Sequence, residues 1–211
     1  MQRLLSTSVF LLFCLAPIFA QNISDEAVKK GIESFYMADF EEAMNTLQNA
    51  IINDVLSDEE QFYAHIFVGF CHIRQGSDPA TVNVYFKRAI TISPHTELDP
   101  MKIPPDLYDA FTGVKNALLG AVVVMSDPLD ATVLVIEPSS NAIERKITPA
   151  AFHNLLEGSY QVLVSKNGYE TFAGSVQVLP GASDTLNVIL LQKKNFFRGI
   201  SRRNLRCLFG F

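Results

Sequence analysis

The feature that most constrains this chain is a change of hydrophobic period near Gly120. Before it, apolar residues recur every three or four positions. Phe40, Ala43, Met44, Leu47, Ala50 and Ile51 share one helical face, as do Phe62, Ile66, Phe67, Phe70 and Ile73, and then Val82, Tyr85, Phe86, Ala89 and Ile90. After it the period is two. Val122, Val124 and Ser126 alternate with Val123 and Met125, and the segments 132–136, 160–164, 175–179 and 185–191 are rich in Val, Ile, Thr and Tyr, which suit a pleated surface. The two patterns predict α and β structure in separate domains: antiparallel helix pairs over 21–118, then a small antiparallel β-sandwich over 119–191.

Local signals place the helix starts. Ser24 precedes the acids Asp25 and Glu26, which complement a helix N-terminus. Asp39 with Glu42, and Ser57 with Glu60, have capping-box spacing. Asp78-Pro79 sets a cap residue before a proline at the first helical position. A fifth helix is predicted over 105–118, opened by Pro104-Pro105-Asp106, with Leu107, Phe111, Val114, Ala117 and Leu118 as its apolar stripe. Turn signals at Asp127-Pro128, Pro138-Ser139-Ser140-Asn141, Glu157-Gly158, Asn167-Gly168 and Pro180-Gly181 separate the strands.

The helical pairs are similar to each other and resemble the tetratricopeptide repeat. One copy reads Gly31, Phe35, Phe40, Ala43, Leu47 and Ala50. The other reads Gly69, Gly76, Phe86, Ala89 and Pro94, with one extra residue between Gly76 and Phe86. Small residues at those places let helices approach closely, and aromatic side chains fill the gaps between pairs. Two pairs are few for a self-supporting stack, and 105–118 is a candidate cap. The stretch Leu98-Asp-Pro-Met-Lys-Ile-Pro-Pro resembles linkers that follow such repeats in bacterial envelope proteins.

Residues 120–191 resemble the PEGA domain. The motifs are Pro128-Leu129-Asp130-Ala131, Thr148-Pro149, the strand entry Leu155-Leu156-Glu157-Gly158-Ser159-Tyr160-Gln161-Val162, and Gly168-Tyr169. Two departures are Asp130, where the family has glycine, and Glu137-Pro138-Ser139-Ser140-Asn141 in place of a Gly-rich hairpin.

Residues 1–20 read as a secretory signal peptide: Arg3, an unbroken apolar run from Val9 to Ile18, then Ala20 before a polar turn. An uncleaved anchor is the alternative, and Phe13 before Cys14 argues against lipidation. From Gln21 to Leu191 there are 22 acidic and 10 basic residues, while 192–211 holds six basic residues and no acid. An acidic body excludes nucleic acid as partner. Cys71 and Cys207, in segments of different character, exclude a disulfide-rich scaffold, and Cys71 reads as a small buried residue.

No catalytic constellation emerges. Ser126, Ser159 and Ser183 lack a nucleophile elbow. His65 and His72 stand seven apart on one helix, where helical zinc ligands stand three or four apart. Glu41-Glu42 and Asp58-Glu59-Glu60 fall in helix first turns and read as caps. Neither cofactor nor metal is expected, and the chain is expected not to be an enzyme.

Surface remains. The tetratricopeptide resemblance implies that the first helix of each pair lines a groove, which places Ile32, Phe35, Tyr36, Tyr63, Ile66, Phe70 and Arg74 on or near it. Tyr36, Tyr63, Phe70 and Arg74 are the candidate partner contacts, since aromatics and Arg favour interaction hot spots. Core filling is the other reading, above all for Phe35 and Phe70. The tail offers Lys193, Lys194, Arg198, Arg202, Arg203 and Arg206 for an anionic membrane surface, or is a disordered end, or the start of further chain. The resemblances and the signal peptide together imply a bacterial cell-envelope interaction protein, periplasmic or surface-exposed, with unidentified envelope proteins as partners. The alternative is an accessory module binding carbohydrate or peptidoglycan.

Overall fold

The computed structural model describes residues 23–53, 55–138 and 143–194. The expected signal peptide over 1–20 lies outside them. The chain packs as two units that divide between Val114 and Lys115, inside the last helix and slightly before the change of period.

The helical unit contains α1 (Glu26–Tyr36), α2 (Phe40–Asn53), α3 (Asp58–Arg74) and α4 (Pro79–Ile92), and α5 (Pro105–Leu118) begins in it. The starts of α1, α2 and α3 carry the caps legible in the sequence, whereas the Asp78 side chain makes no cap bond at the start of α4. The Asp25 carboxylate accepts from the Val28 amide, and Asp39 from Glu42 at 3.2 Å. Ser57 and Glu60 form a complete capping box. Pro79 occupies the first turn of α4, where its missing N–H costs nothing.

The ends of α1 and α3 close alike. After α1, the amides of Ala38 and Asp39 bond the carbonyls of Phe35 and Ser34; after α3, those of Gly76 and Ser77 bond Ile73 and His72. This closure needs a left-handed residue. Gly76 supplies it at φ 70°, whereas Ala38 is held at φ 61° with a Cβ that disfavours that region.

Two helical hairpins, α1–α2 and α3–α4, result. A Cβ on Gly31 would lie 2.5 Å from Leu47 Cγ, and one on Gly69 the same distance from Phe86 Cε1. These glycines therefore set the closeness of each hairpin. Between the hairpins runs an aromatic chain in edge-to-face contact: Phe35–Phe67 at 5.2 Å, Phe67–Phe70 at 5.5 Å and Phe70–Phe86 at 5.7 Å. Phe111 of α5 extends it to Phe86 and Phe62. Phe62 stands near the start of α3, while Asp106, at the start of α5, pairs with Arg74 at the end of α3. Thus α5 runs opposite to α3. Residues 93–104 carry the chain back along the unit to make this reversal.

The β unit contains β1 (Gly120–Asp127), β2 (Thr132–Ile136), β3 (Ile143–Ile147), β4 (Ala150–Leu155), β5 (Gly158–Ser165), β6 (Phe172–Val178) and β7 (Ser183–Ile189). They form sheets of order β4-β1-β7 and β3-β2-β5-β6. All pairs are antiparallel except β1 with β7, which run parallel from Ala121 opposite Ser183 to Asp127 opposite Ile189. Val122, Val124, Val133, Phe152, Tyr160, Val162, Val164 and Val188 form the core. The alternation anticipated β1, β2, β5, β6 and β7. It passes over β3, whose residues Ile-Glu-Arg-Lys-Ile leave no face fully buried, and β4, which holds Ala, Asn and His and has Asn154 at φ 60°.

The polar motif residues of this unit are spent on holding it together. Thr148 bonds its backbone N–H to the Ala131 carbonyl at 2.9 Å and accepts the Asp130 amide at its own carbonyl. Its hydroxyl oxygen accepts the Ala131 amide at 3.0 Å and bonds Ser126, which donates to the Pro128 carbonyl. The Pro-x-x-Ala turn and the Thr-Pro step are thus one clasp between β1 and β2. Asp130 stands in it at φ 58°, a left-handed conformation that Asp tolerates better than most residues with a side chain. The Tyr160 hydroxyl donates to the Leu156 carbonyl at 3.0 Å, closing the corner into β5.

Two substitutions test these constraints. Ala38→Gly removes the left-handed strain and is expected to stabilise the helical unit by about 1 kcal/mol, read from urea unfolding at 222 nm. Thr148→Val strands the Ala131 amide and takes one of its two partners from the Ser126 hydroxyl. It is expected to cost roughly 2 kcal/mol, read as lost hydrogen-exchange protection in β2 and β5.

Candidate interaction surface

The expected groove residues divide by burial. Ile32, Phe35, Ile66 and Phe70 are buried. Phe70 is therefore removed from the partner contacts: its ring is enclosed by Phe35, Phe67 and Phe86. Arg74 is not free either. Its guanidinium grips Asp106 with two bonds, of 2.6 and 3.2 Å, and fastens the start of α5 to the end of α3. Core filling was the other reading of Phe70 from the sequence, whereas nothing local marked the clamp that Arg74 makes with Asp106.

Tyr36 and Tyr63 remain at the surface; the returning segment 93–104 accepts a bond from the first and brings the Asp99 charge near the second. The Tyr36 hydroxyl donates to the Lys102 carbonyl at 3.3 Å, while its ring sits edge-on against Phe35 and Phe67. Burial pushes the Tyr36 phenol up to about 12. The Tyr63 phenol is also raised, by burial first and then by the negative charges of Glu59 and Asp99. Leu98 and Ile103 are each only 3% exposed, whereas Met101 between them is 90% exposed. Two apolar anchors thus hold a turn whose tip stands in solvent. The Asp99 carboxylate accepts the Met101 amide at 2.9 Å, and the Asp99 carbonyl accepts the amides of Lys102 and Ile103.

Behind this face, Tyr85 of α4 lies beside two histidines of α3. Its ring stacks on His72 at 5.2 Å and is tilted against His65 at 6.2 Å, and its hydroxyl accepts from Gln48 of α2 at 3.0 Å. His72 Nδ1 bonds the Ser77 hydroxyl. Among the described residues no hydrogen-bond partner reaches His65 Nδ1 or His72 Nε2. Burial, with the charge of Arg88 second, holds the His65 imidazole down at about 4. Burial likewise pushes the Cys71 thiol up to about 12, far from a reactive thiolate.

The acidic clusters are structural where the structure resolves their bonds. Glu60 Oε1 accepts the Ser24 amide, the Ser24 hydroxyl and the Asp25 amide at 2.7–2.9 Å. Its Oε2 accepts the amide and hydroxyl of Ser57. These bonds hold its carboxyl at about 2 despite burial. Glu42 is taken by Lys30 at 2.7 Å. Among the described residues, no group of three or more His, Cys, Asp and Glu is placed to hold a metal ion.

In the tail, Lys193 and Lys194 are exposed, and the Lys193 amide is tied to the Gly168 carbonyl at 2.9 Å. Arg198, Arg202, Arg203, Arg206 and Cys207 lie outside the described residues. Among the described residues no helix is long and apolar enough to cross a membrane.

The PEGA domain family matches residues 119–195. These are the residues whose motifs form the clasp and the tyrosine corner. No family match falls on the helical unit, where helical hairpins are what the structure shows. No curated protein matches the chain. Among solved structures, the Bacillus anthracis TIE protein is similar at 15% identity and a TM-score of 0.28, over 36% of this chain. The match spans 16% of that protein.

Acid is expected to loosen the helical unit in two windows. The His65 imidazole has its folded pKa lowered from 6.5 to about 4. The unfolded chain therefore binds the proton first, and stability falls as pH drops from about 6.5 to 4. Glu60 has its folded value lowered from 4.5 to about 2, so its contribution is complete above about 4.5 and is lost as pH falls toward 2. Thermal melts at 222 nm from pH 7 to 2 check this. His65→Phe should flatten the upper window and leave the lower one.

Proposed function

We propose that this chain is a non-catalytic interaction and scaffold protein of a bacterial-type cell envelope. Its helical unit engages a protein partner, and its PEGA-like unit is a structural or attachment module. The observation that carries the second part is the clasp. The polar motif residues Thr148 and Tyr160, with Ser126 beside them, bond one another or backbone within the same turns, as befits a module whose task is to keep its shape. The first part is supported by the half-exposed tyrosines Tyr36 and Tyr63 beside the exposed Met101, a mixture of the kind enriched at interfaces. Export is supported by the signal-like residues 1–20.

The test is photo-crosslinking in cells that express the full chain, with a benzophenone amino acid at Tyr63 or at Ile189, which is exposed on β7. A discrete protein adduct from Tyr63 and none from Ile189 is expected. Adducts from Ile189 alone would shift the binding role to the β unit. Absence of protein adducts at both positions, together with co-sedimentation of the chain with purified peptidoglycan, would favour the carbohydrate-binding alternative and overturn this reading.

A further inference from the structure

We propose that Asn167 is a site of self-modification, where the chain's own backbone converts the asparagine into aspartate and isoaspartate and thereby loosens residues 191–193. The reaction is an intramolecular acyl transfer. The backbone nitrogen of Gly168 gives its proton to solvent base and attacks Cγ of the Asn167 carboxamide. A new C–N bond closes a five-membered imide. The bond from Cγ to the side-chain nitrogen breaks, and that nitrogen leaves as ammonia. Water then opens the ring at one carbonyl to give aspartate, or at the other to give isoaspartate, whose main chain runs through the former side chain. Nothing is oxidised or reduced, and water is the only co-reactant.

The turn after β5 suits this chemistry. Asn167 is the one asparagine of the chain that precedes a glycine, so no side chain shields the attacking nitrogen. Both residues are exposed, and a Cβ on Gly168 would meet nothing within 4 Å. The attacking amide is also unengaged. The Tyr169 amide closes the turn on the Lys166 carbonyl at 3.1 Å, and Gly168 stands at φ 85°, as the third position of a type II turn requires. Among the described residues nothing accepts from the Gly168 amide. Other exposed asparagines lack this combination. Asn116 precedes the small Ala117, but inside α5, where amides are bonded along the helix. Asn187 lies in β7 and precedes the β-branched Val188.

The same turn holds the chain where it leaves β7. The Gly168 carbonyl accepts the Lys193 amide at 2.9 Å, Tyr169 pairs with Gln192, and the Glu170 amide donates to the Leu191 carbonyl at 2.7 Å. These links begin at the residue whose nitrogen is modified. Isoaspartate adds one atom to the backbone of a turn closed by a single bond, which carries the Gly168 carbonyl out of register with Lys193. Loss of ammonia makes the change one-way, so the attachment weakens as the molecule ages.

The test incubates the full-length protein at mildly alkaline pH and follows each asparagine by peptide mapping, with fragmentation that separates isoaspartate from aspartate. Asn167 is expected to convert about tenfold or more faster than Asn116 or Asn187, with isoaspartate the larger product. Hydrogen exchange of the aged protein is expected to show the Lys193 and Glu170 amides losing protection while those of Val133 and Val162 keep it. Asn167→Gln, whose longer side chain closes a ring far less readily, should keep both sets protected through the same incubation. Conversion of Asn167 in the urea-unfolded chain but not in the folded protein would overturn the proposal, because the turn would then hold the carboxamide away from the nitrogen. Conversion with unchanged protection at Lys193 and Glu170, or equal loss in Asn167→Gln, would overturn the loosening.

Discussion

The helical unit depends on one buried carboxylate. Glu60 stands between the N-terminal ends of α1 and α3, where unbonded amides and two helix dipoles converge. A negative charge there is stabilised from both sides, which is why burial fails to raise its pKa. By joining the two starts, Glu60 makes α1 and α3 run side by side in the same direction. That alignment brings Phe35 onto Phe67 and Phe70, and it creates the face on which the returning segment lies. An apolar residue at 60 would remove the capping box and also the register between the hairpins.

Once α1 and α3 are aligned, the direction of α5 decides what kind of surface remains. A short turn after α4 would send the next helix parallel to α3 and leave the α1–α3 face open. The longer stretch through 93–104 crosses that face first, and the Arg74–Asp106 fork then fixes the reversal. The prolines at 94, 100, 104 and 105 restrict the unfolded segment and so reduce the entropy lost when it seats. Even so, its two buried anchors contribute only roughly 2 kcal/mol each, comparable with ordering a few residues of backbone.

Local signals were the legible ones. The cap residues, the glycines facing Leu47 and Phe86, and the period change located ten of the twelve elements among the described residues, because each rests on residues close in the chain or on a repeating face. The capping box of Ser57 and Glu60 was visible, but its reach to Ser24 and Asp25 was not, since that bond joins positions 36 and 35 residues apart. Arg74 carried no sign that Asp106 would claim it. The strand β3 escaped because Glu144, Arg145 and Lys146 give it no apolar alternation. The parallel pairing of β1 with β7 follows from the order in which the strands close the sheet, a long-range property that no single strand displays.

The same contrast separates the two units in what they offer a partner. In the β unit, Ser126, Thr148 and Tyr160 answer one another or nearby backbone within a fixed turn geometry, and displacing any of these bonds would cost a buried polar group its mate. In the helical unit, Tyr36 donates to the Lys102 carbonyl at 3.3 Å between partly exposed groups, where water can replace a lost bond at little cost. The clasp of the β unit, by contrast, cannot be opened without unfolding the turn it closes.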